Sequence, residues 1–272
     1  MELDLMQLGL AALLGGGAGL VGGLAGIGGS LLMIPGLGVI IGYTDDSARE
    51  QHLYAAAAML VNLIVAISST RQHVRKNAVR RDVIRVLIPA LGVSLVAGVL
   101  LSNQFQGRTL AIGLAIFIAL YAVQSLYLAV RHRKAPAPDP AVDREVVAKP
   151  TPIAGVGVVA GFAGGLLGLG GGAIMVPGLQ TLARLPLRTA IAGSAAAMCA
   201  TSGVGAILKI GTLGQHGLRW IDASALAAAM GVPAMLLAPQ GAKLAHGLPI
   251  HWVRAVIGVV LLGAAARLAG LV

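Results

Sequence analysis

Long apolar runs, separated by short polar or basic stretches, set the rhythm of this chain. Ten stand out: Leu5–Ile27, Ser30–Tyr43, Leu53–Ser69, Val83–Leu101, Leu110–Val130, Ile153–Leu169, Ala173–Leu182, Thr189–Ile210, Ala223–Leu244 and Trp252–Leu271. Most reach the roughly 17–25 residues with which a helix crosses a bilayer. Ser30–Tyr43 and Ala173–Leu182 are too short to cross alone. None of the runs alternates polar and apolar residues as the strand of a membrane barrel would. The pattern predicts an all-α integral membrane protein.

Composition agrees. Of the 272 residues 57% are hydrophobic and 11% charged, against about 25% charged in soluble domains, and the mean hydropathy is +0.87. So few charges could not cover a soluble surface. Met1-Glu2-Leu3-Asp4 lacks the basic start of a cleaved signal peptide, so the first run is expected to stay in the protein. The single cysteine, Cys199, lies inside an apolar run and reads as a packing residue. The net charge of +10 comes from basic residues in the polar stretches. They read as orientation signals rather than as a nucleic-acid surface.

An internal repeat organises the chain. Gly19–Leu37 reads GLVGGLAGIGGSLLMIPGL and Gly161–Leu179 reads GFAGGLLGLGGGAIMVPGL, with 11 of 19 positions identical at an offset of 142. Between the halves lies a stretch holding Pro136, Pro138, Pro140, Pro150 and Pro152 among charges. The reading is a first membrane repeat over 1–130, a cytoplasmic linker over 131–152 and a second membrane repeat over 153–272. Each repeat has five segments, the second of them short. If all ten cross, with the Arg71–Arg85 loop inside, fifteen basic residues fall inside and four outside. If the short segments merely extend their predecessors, the split falls to thirteen and six. The tendency of basic residues to stay cytoplasmic therefore favours two inverted repeats. Such repeats with broken helices mark the binding site in many secondary transporters.

The duplicated motif has chemistry of its own. Glycine runs let the backbone turn tightly and expose N–H groups, and a helix starting just beyond adds the positive end of its dipole. Small residues four apart, as at Gly22/Gly26 and Gly164/Gly168, also serve simply to pack helices. The loops nominate Gly26, Gly28, Gly29 and Ser30 in the first half and Gly168, Gly170, Gly171 and Gly172 in the second. Pro35 and Pro177 are expected to kink or end the short helices.

The residues Gly22, Gly23, Gly26, Gly28, Gly29, Met33 and Pro35, repeated as Gly164, Gly165, Gly168, Gly170, Gly171, Gly172, Met175 and Pro177, resemble the sulfite exporter TauE/SafE family over nearly the whole chain. The resemblance implies a multi-pass permease of the bacterial inner membrane. Its cargo would be small anions, sulfite or organosulfonates such as sulfoacetate. The first half departs from the second: Ser30 stands for Gly172, and Gln51-His52 for Gly193-Ser194, a pair similar to the family's small, hydroxyl-bearing start of that helix.

Few polar residues sit at depth. Asn62, Ser194, Thr201 and Ser202 either contact the substrate or bond a neighbouring helix, and Gln124 reads as the latter. His52, near a helix start, is a candidate for anion contact or pH sensing. Lys209 is expected to snorkel to the interface. No acid is central in a segment, which argues against a cation as cargo. The histidines show no metal-ligand spacing, and neither a metal nor another cofactor is expected. The leading expectation is alternating-access transport of a small anion, with the lipid bilayer as surroundings and a homodimer left open. A channel or a non-transporting subunit is the alternative. A membrane-embedded enzyme is less favoured, since no cluster of catalytic groups lies at depth.

Overall fold

In a computed structural model, residues 3–25, 28–75, 77–131, 149–247 and 250–271 are described. They form ten α-helices: α1 (Leu5–Ala25), α2 (Ser30–Ile40), α3 (Glu50–Arg75), α4 (Arg81–Ser102), α5 (Gly107–Arg131), α6 (Pro150–Leu167), α7 (Gly172–Thr181), α8 (Leu187–Thr212), α9 (Trp220–Gly247) and α10 (Ile250–Leu271). A 3₁₀ turn, Leu213–His216, follows α8. No strand occurs among the described residues. Seven helices (α1, α3, α4, α5, α6, α8 with its 3₁₀ turn, and α9) are long and apolar enough to cross a membrane.

Shifting the first half by 142 places α2 over 172–182, where α7 lies, and α4 over 223–244, within α9. The repeat thus extends beyond its motif to the order and spacing of the helices. Two details refine the sequence reading. Helix α6 begins at Pro150, inside the stretch read as linker, because proline at a helix's first position forfeits an N–H that would lack a partner anyway. Pro35 and Pro177 lie within α2 and α7 without ending them.

Glycine and alanine faces decide which helices meet. A Cβ added at Gly19 or Gly23 of α1 would strike the backbone of Ala234 or Ala238 in α9, and one at Gly15 the backbone of Met230. The contacts advance together, so α1 and α9 are parallel. Gly157, Gly161 and Gly165 of α6 meet Leu87, Leu91 and Leu95 of α4 in the same sense. Along α3 and α8 the order reverses. His52 lies beside Lys209, Met59 against Gly205, Leu63 against Gly203 and Thr70 against Cys199, so these two equivalent helices are antiparallel. Helix α2 turns back along α1, with Gly36 against Leu14 and Gly29 against Ala18.

The most extensive packing is between halves: α1 on α9, α4 on α6, α5 on α10 and α3 on α8. Two apolar cores result. The larger joins α1, α2, α3, α5, α9 and α10 and reaches Leu167 of α6 and Ala173 of α7, with Leu31, Leu53, Leu114, Met230 and Leu261 among its residues. The smaller joins α4, α6, α7 and α8 with one end of α3, through Leu91, Val156, Met175 and Ala197. Each core therefore draws helices from both halves of the sequence.

Candidate functional site

The two glycine loops meet at the seam where α3 faces α8. Gly28 (φ +80°) precedes α2, and Gly168, Gly170 and Gly171 (φ +80°, +67° and +85°) precede α7. A Cβ at Gly28 would sit 2.9 Å from Met198 Cε of α8 and 3.2 Å from Asn62 Oδ1 of α3. At Gly170 it would sit 2.7 Å from Ser202 Oγ and 3.5 Å from Asn62 Nδ2. Left-handed φ already disfavours a side chain at both positions, and the neighbours remove the remaining room.

Side chains pin the second loop through its carbonyls. Asn62 Nδ2 donates to Leu169 O at 3.2 Å, and Ser30 Oγ donates to the same oxygen at 3.1 Å. Thr201 Oγ1 donates to Gly170 O at 3.2 Å. These bonds join α2, α3 and α8 to the loop. Neither α2 nor α7 has a side chain capping its N-terminus, so the N–H groups of both first turns depend on other partners. Two buried oxygens beside the loops, Asn62 Oδ1 and Ser202 Oγ, and a third farther along α8, Ser194 Oγ, lack a partner among the described residues. Each such group costs about 1–3 kcal/mol unless something binds it. The region is sealed: Asn62, Ser194 and Ser202 have no exposed surface. A cleft of about 530 Å³ lies elsewhere, lined by Ile210, Gly211, Gly214, Leu218, Arg219, Trp220 and Ile221.

The profile of the family described as Sulfite exporter TauE/SafE matches residues 11–268. The chain belongs to the sulfite exporter TauE/SafE family. No curated protein and no solved structure matches it. This TauE/SafE protein is thus a multi-pass membrane protein of a transporter family.

The sequence candidates of this family member do not all fall in one place. Gly28, Ser30, Asn62, Gly170 and Thr201 meet at the seam. In the same loops Gly29 faces Ala18 of α1, Gly168 faces Ala55 of α3 and Gly171 faces Ala160 of α6, while Gly172 opens α7. Ser194 lies on the face of α8 that carries Thr201, about 10 Å along the axis from it at 1.5 Å per residue. His52 stands apart, ten residues from Asn62 along α3, with Nε2–H donating to Phe105 O at 3.2 Å. Gly26 lies outside the described residues. Gln124 is exposed on α5 and takes no part in the seam.

One residue departs from the sequence reading. Lys209 does not snorkel: it is 1% exposed and donates to Ser102 Oγ at 2.6 Å. Its aliphatic neighbours gave no hint of this, because Ser102 and His52 reach it from other helices. Ser202 was legible only as one more hydroxyl at depth, because the loop at Gly170 that folds against it lies some thirty residues earlier in the chain.

Among the acids, Glu50 is buried at the start of α3, where Thr44 Oγ1 donates to Oε1 and Arg49 Nε stands 3.7 Å away. No group of histidine, cysteine and acidic side chains suited to a metal occurs among the described residues.

Proposed function

We propose that the chain is a secondary transporter of small oxyanions, sulfite or an organosulfonate such as sulfoacetate, in a bacterial inner membrane. The observation that carries this reading is the meeting of two glycine loops at one buried seam, beside hydroxyl and amide oxygens that lack partners. Backbone N–H groups at the starts of α2 and α7 would meet the negative charge, and Ser202 would donate to one of its oxygens, whereas Ser194, eight residues and about 12 Å away along α8, is too far to share the same anion. Asn62 Oδ1 would accept from a protonated oxyanion such as hydrogensulfite. Thr201, Ser30 and Asn62 Nδ2 would hold the loop that makes the site. Each helix dipole contributes about 0.3–2 kcal/mol. Two of them with a few hydrogen bonds suit millimolar-to-micromolar affinity, the former corresponding to about −4 kcal/mol.

The antiparallel course of α3 and α8 supports two inverted repeats, with both termini outside and the linker inside. The site lies between the two apolar cores, so alternating access would be a movement of the α4–α6–α7–α8 bundle against the rest. The moving bodies would then be mixtures of the two repeats rather than the repeats themselves.

Cross-linking tests this. Thr70 Oγ1 and Cys199 Sγ are 3.3 Å apart across the α3–α8 seam, close enough for a Thr70→Cys variant to form a disulfide with Cys199. Oxidised Thr70→Cys is expected to stop sulfite flux in proteoliposomes, and reduction to restore it. Full flux through the cross-linked protein would refute movement at this seam. Counterflow and saturation would separate the carrier from a channel.

A further inference from the structure

Lys209 is a buried cation in an unusual setting. Its ammonium group carries three N–H donors. One serves Ser102 Oγ at 2.6 Å, and another faces His52 Nδ1 at 3.5 Å, a nitrogen free to accept because Nε2–H is spent on Phe105 O. The His52 ring is stacked on His216, with centroids 3.8 Å apart and planes 10° from parallel. His216 Nε2 is buried without a partner among the described residues. No carboxylate lies within ion-pairing distance of Lys209 among the described residues. Arg49 approaches from the same side, its guanidinium 3.6 Å from where a Cβ of Gly217 would stand. An ammonium group taken from water into protein without a counter-ion is unfavourable. Here one end of the α3–α8 seam retains such a group beside two imidazoles.

The repeat shows that this is no by-product of the shared fold. At the offset of 142, Lys209 corresponds to Ile67, His216 to Val74, Ser102 to Leu244 and His52 to Ser194. Ile67, Val74 and Leu244 are exposed apolar residues, 39%, 54% and 49% accessible. The Lys209 end of the seam is therefore cationic and enclosed, while three of its four counterparts are exposed apolar residues and the fourth is the buried hydroxyl of Ser194.

We propose that Lys209, with Ser102 and His216, forms a second anion site on the outer side of the glycine-loop site, a station that an oxyanion occupies as it passes between that site and the outside. The proposal rests on the anion-transport reading and on the topology that places this end of α8 outside. The missing counter-ion is the cargo itself. Lys209 binds one oxyanion oxygen, the Ser102 hydroxyl turns from Val99 O, to which it donates at 2.6 Å, to another, and the neutral His216 ring with its proton on Nε2 supplies a third donor. The station is one-sided, so it lowers the barrier to anion exchange at the outer face only.

Radiolabelled sulfite flux in right-side-out and inside-out membrane vesicles tests this. Lys209→Met is expected to raise KM at the outer face roughly tenfold, the loss of one charge-assisted hydrogen bond, and to leave KM at the inner face within twofold. Lys209→Arg, which keeps the charge, restores most of the outer-face KM. If Lys209→Met does not reach the membrane, Ser102→Ala serves instead and shifts the outer-face KM alone. An equal effect on both faces, or none, would overturn the station while leaving the transport reading intact. Wild-type vesicles that carry neither sulfite nor any other oxyanion would overturn both.

Discussion

Gly170 shows what a single residue contributes. At φ +67° an L side chain costs about 1–2 kcal/mol in backbone strain alone, and the space its Cβ needs is held by Ser202 Oγ. Gly28 is placed alike against Met198 and Asn62. Gly28→Leu and Gly170→Leu are each expected to abolish sulfite flux while protein remains in the membrane, as a membrane immunoblot beside the flux assay would record. Normal flux in both variants would remove the loops from the site. Substitutions that take away one hydrogen bond should be milder. Asn62→Ala and Thr201→Ala are expected to weaken sulfite binding about tenfold each, measured by the ligand-induced shift of the thermal midpoint. Most residues of this seam were legible in the sequence, because glycine runs repeated at a fixed offset point to one another. Lys209 was not, because its burial depends on Ser102 and His52, which come from different helices.

At the scale of the elements, the lengths of apolar runs and one repeated motif were enough to place ten helices within a few residues of their bounds. They did not say which helices pair. Almost every face is alanine, valine, leucine or glycine, so no charge or shape in the sequence singles out α9 as the partner of α1. The choice lies in small residues that let two backbones touch. Gly19 meets the backbone of Ala234, whereas nothing lies within 4 Å of a Cβ at Gly17. Gly19→Leu is therefore expected to lower the thermal midpoint in detergent by several degrees or to prevent accumulation, and Gly17→Leu to leave it unchanged. Equal behaviour of the two variants would show that close packing of α1 on α9 does not hold the fold.

For the molecule as a whole, the proposed topology is open to labelling. In a Cys199→Ala background, a cysteine at Asn77, between α3 and α4, should react with an impermeant maleimide only in inside-out vesicles. One at Gln106, between α4 and α5, should react only in right-side-out vesicles. The opposite pattern would reverse the orientation. The exchange of helices between halves also bears on how the chain is made. When α1 enters the bilayer, the partner that covers Gly15, Gly19 and Gly23 has not yet been synthesised. At about 5–20 residues per second, a ribosome needs on the order of ten to forty seconds to travel from α1 to α9. For that interval the small-residue face of α1 meets lipid or an insertion chaperone, and the nascent first half is a ready target for quality-control proteolysis. Correct assembly is thus a race between completing translation and degrading its opening segment.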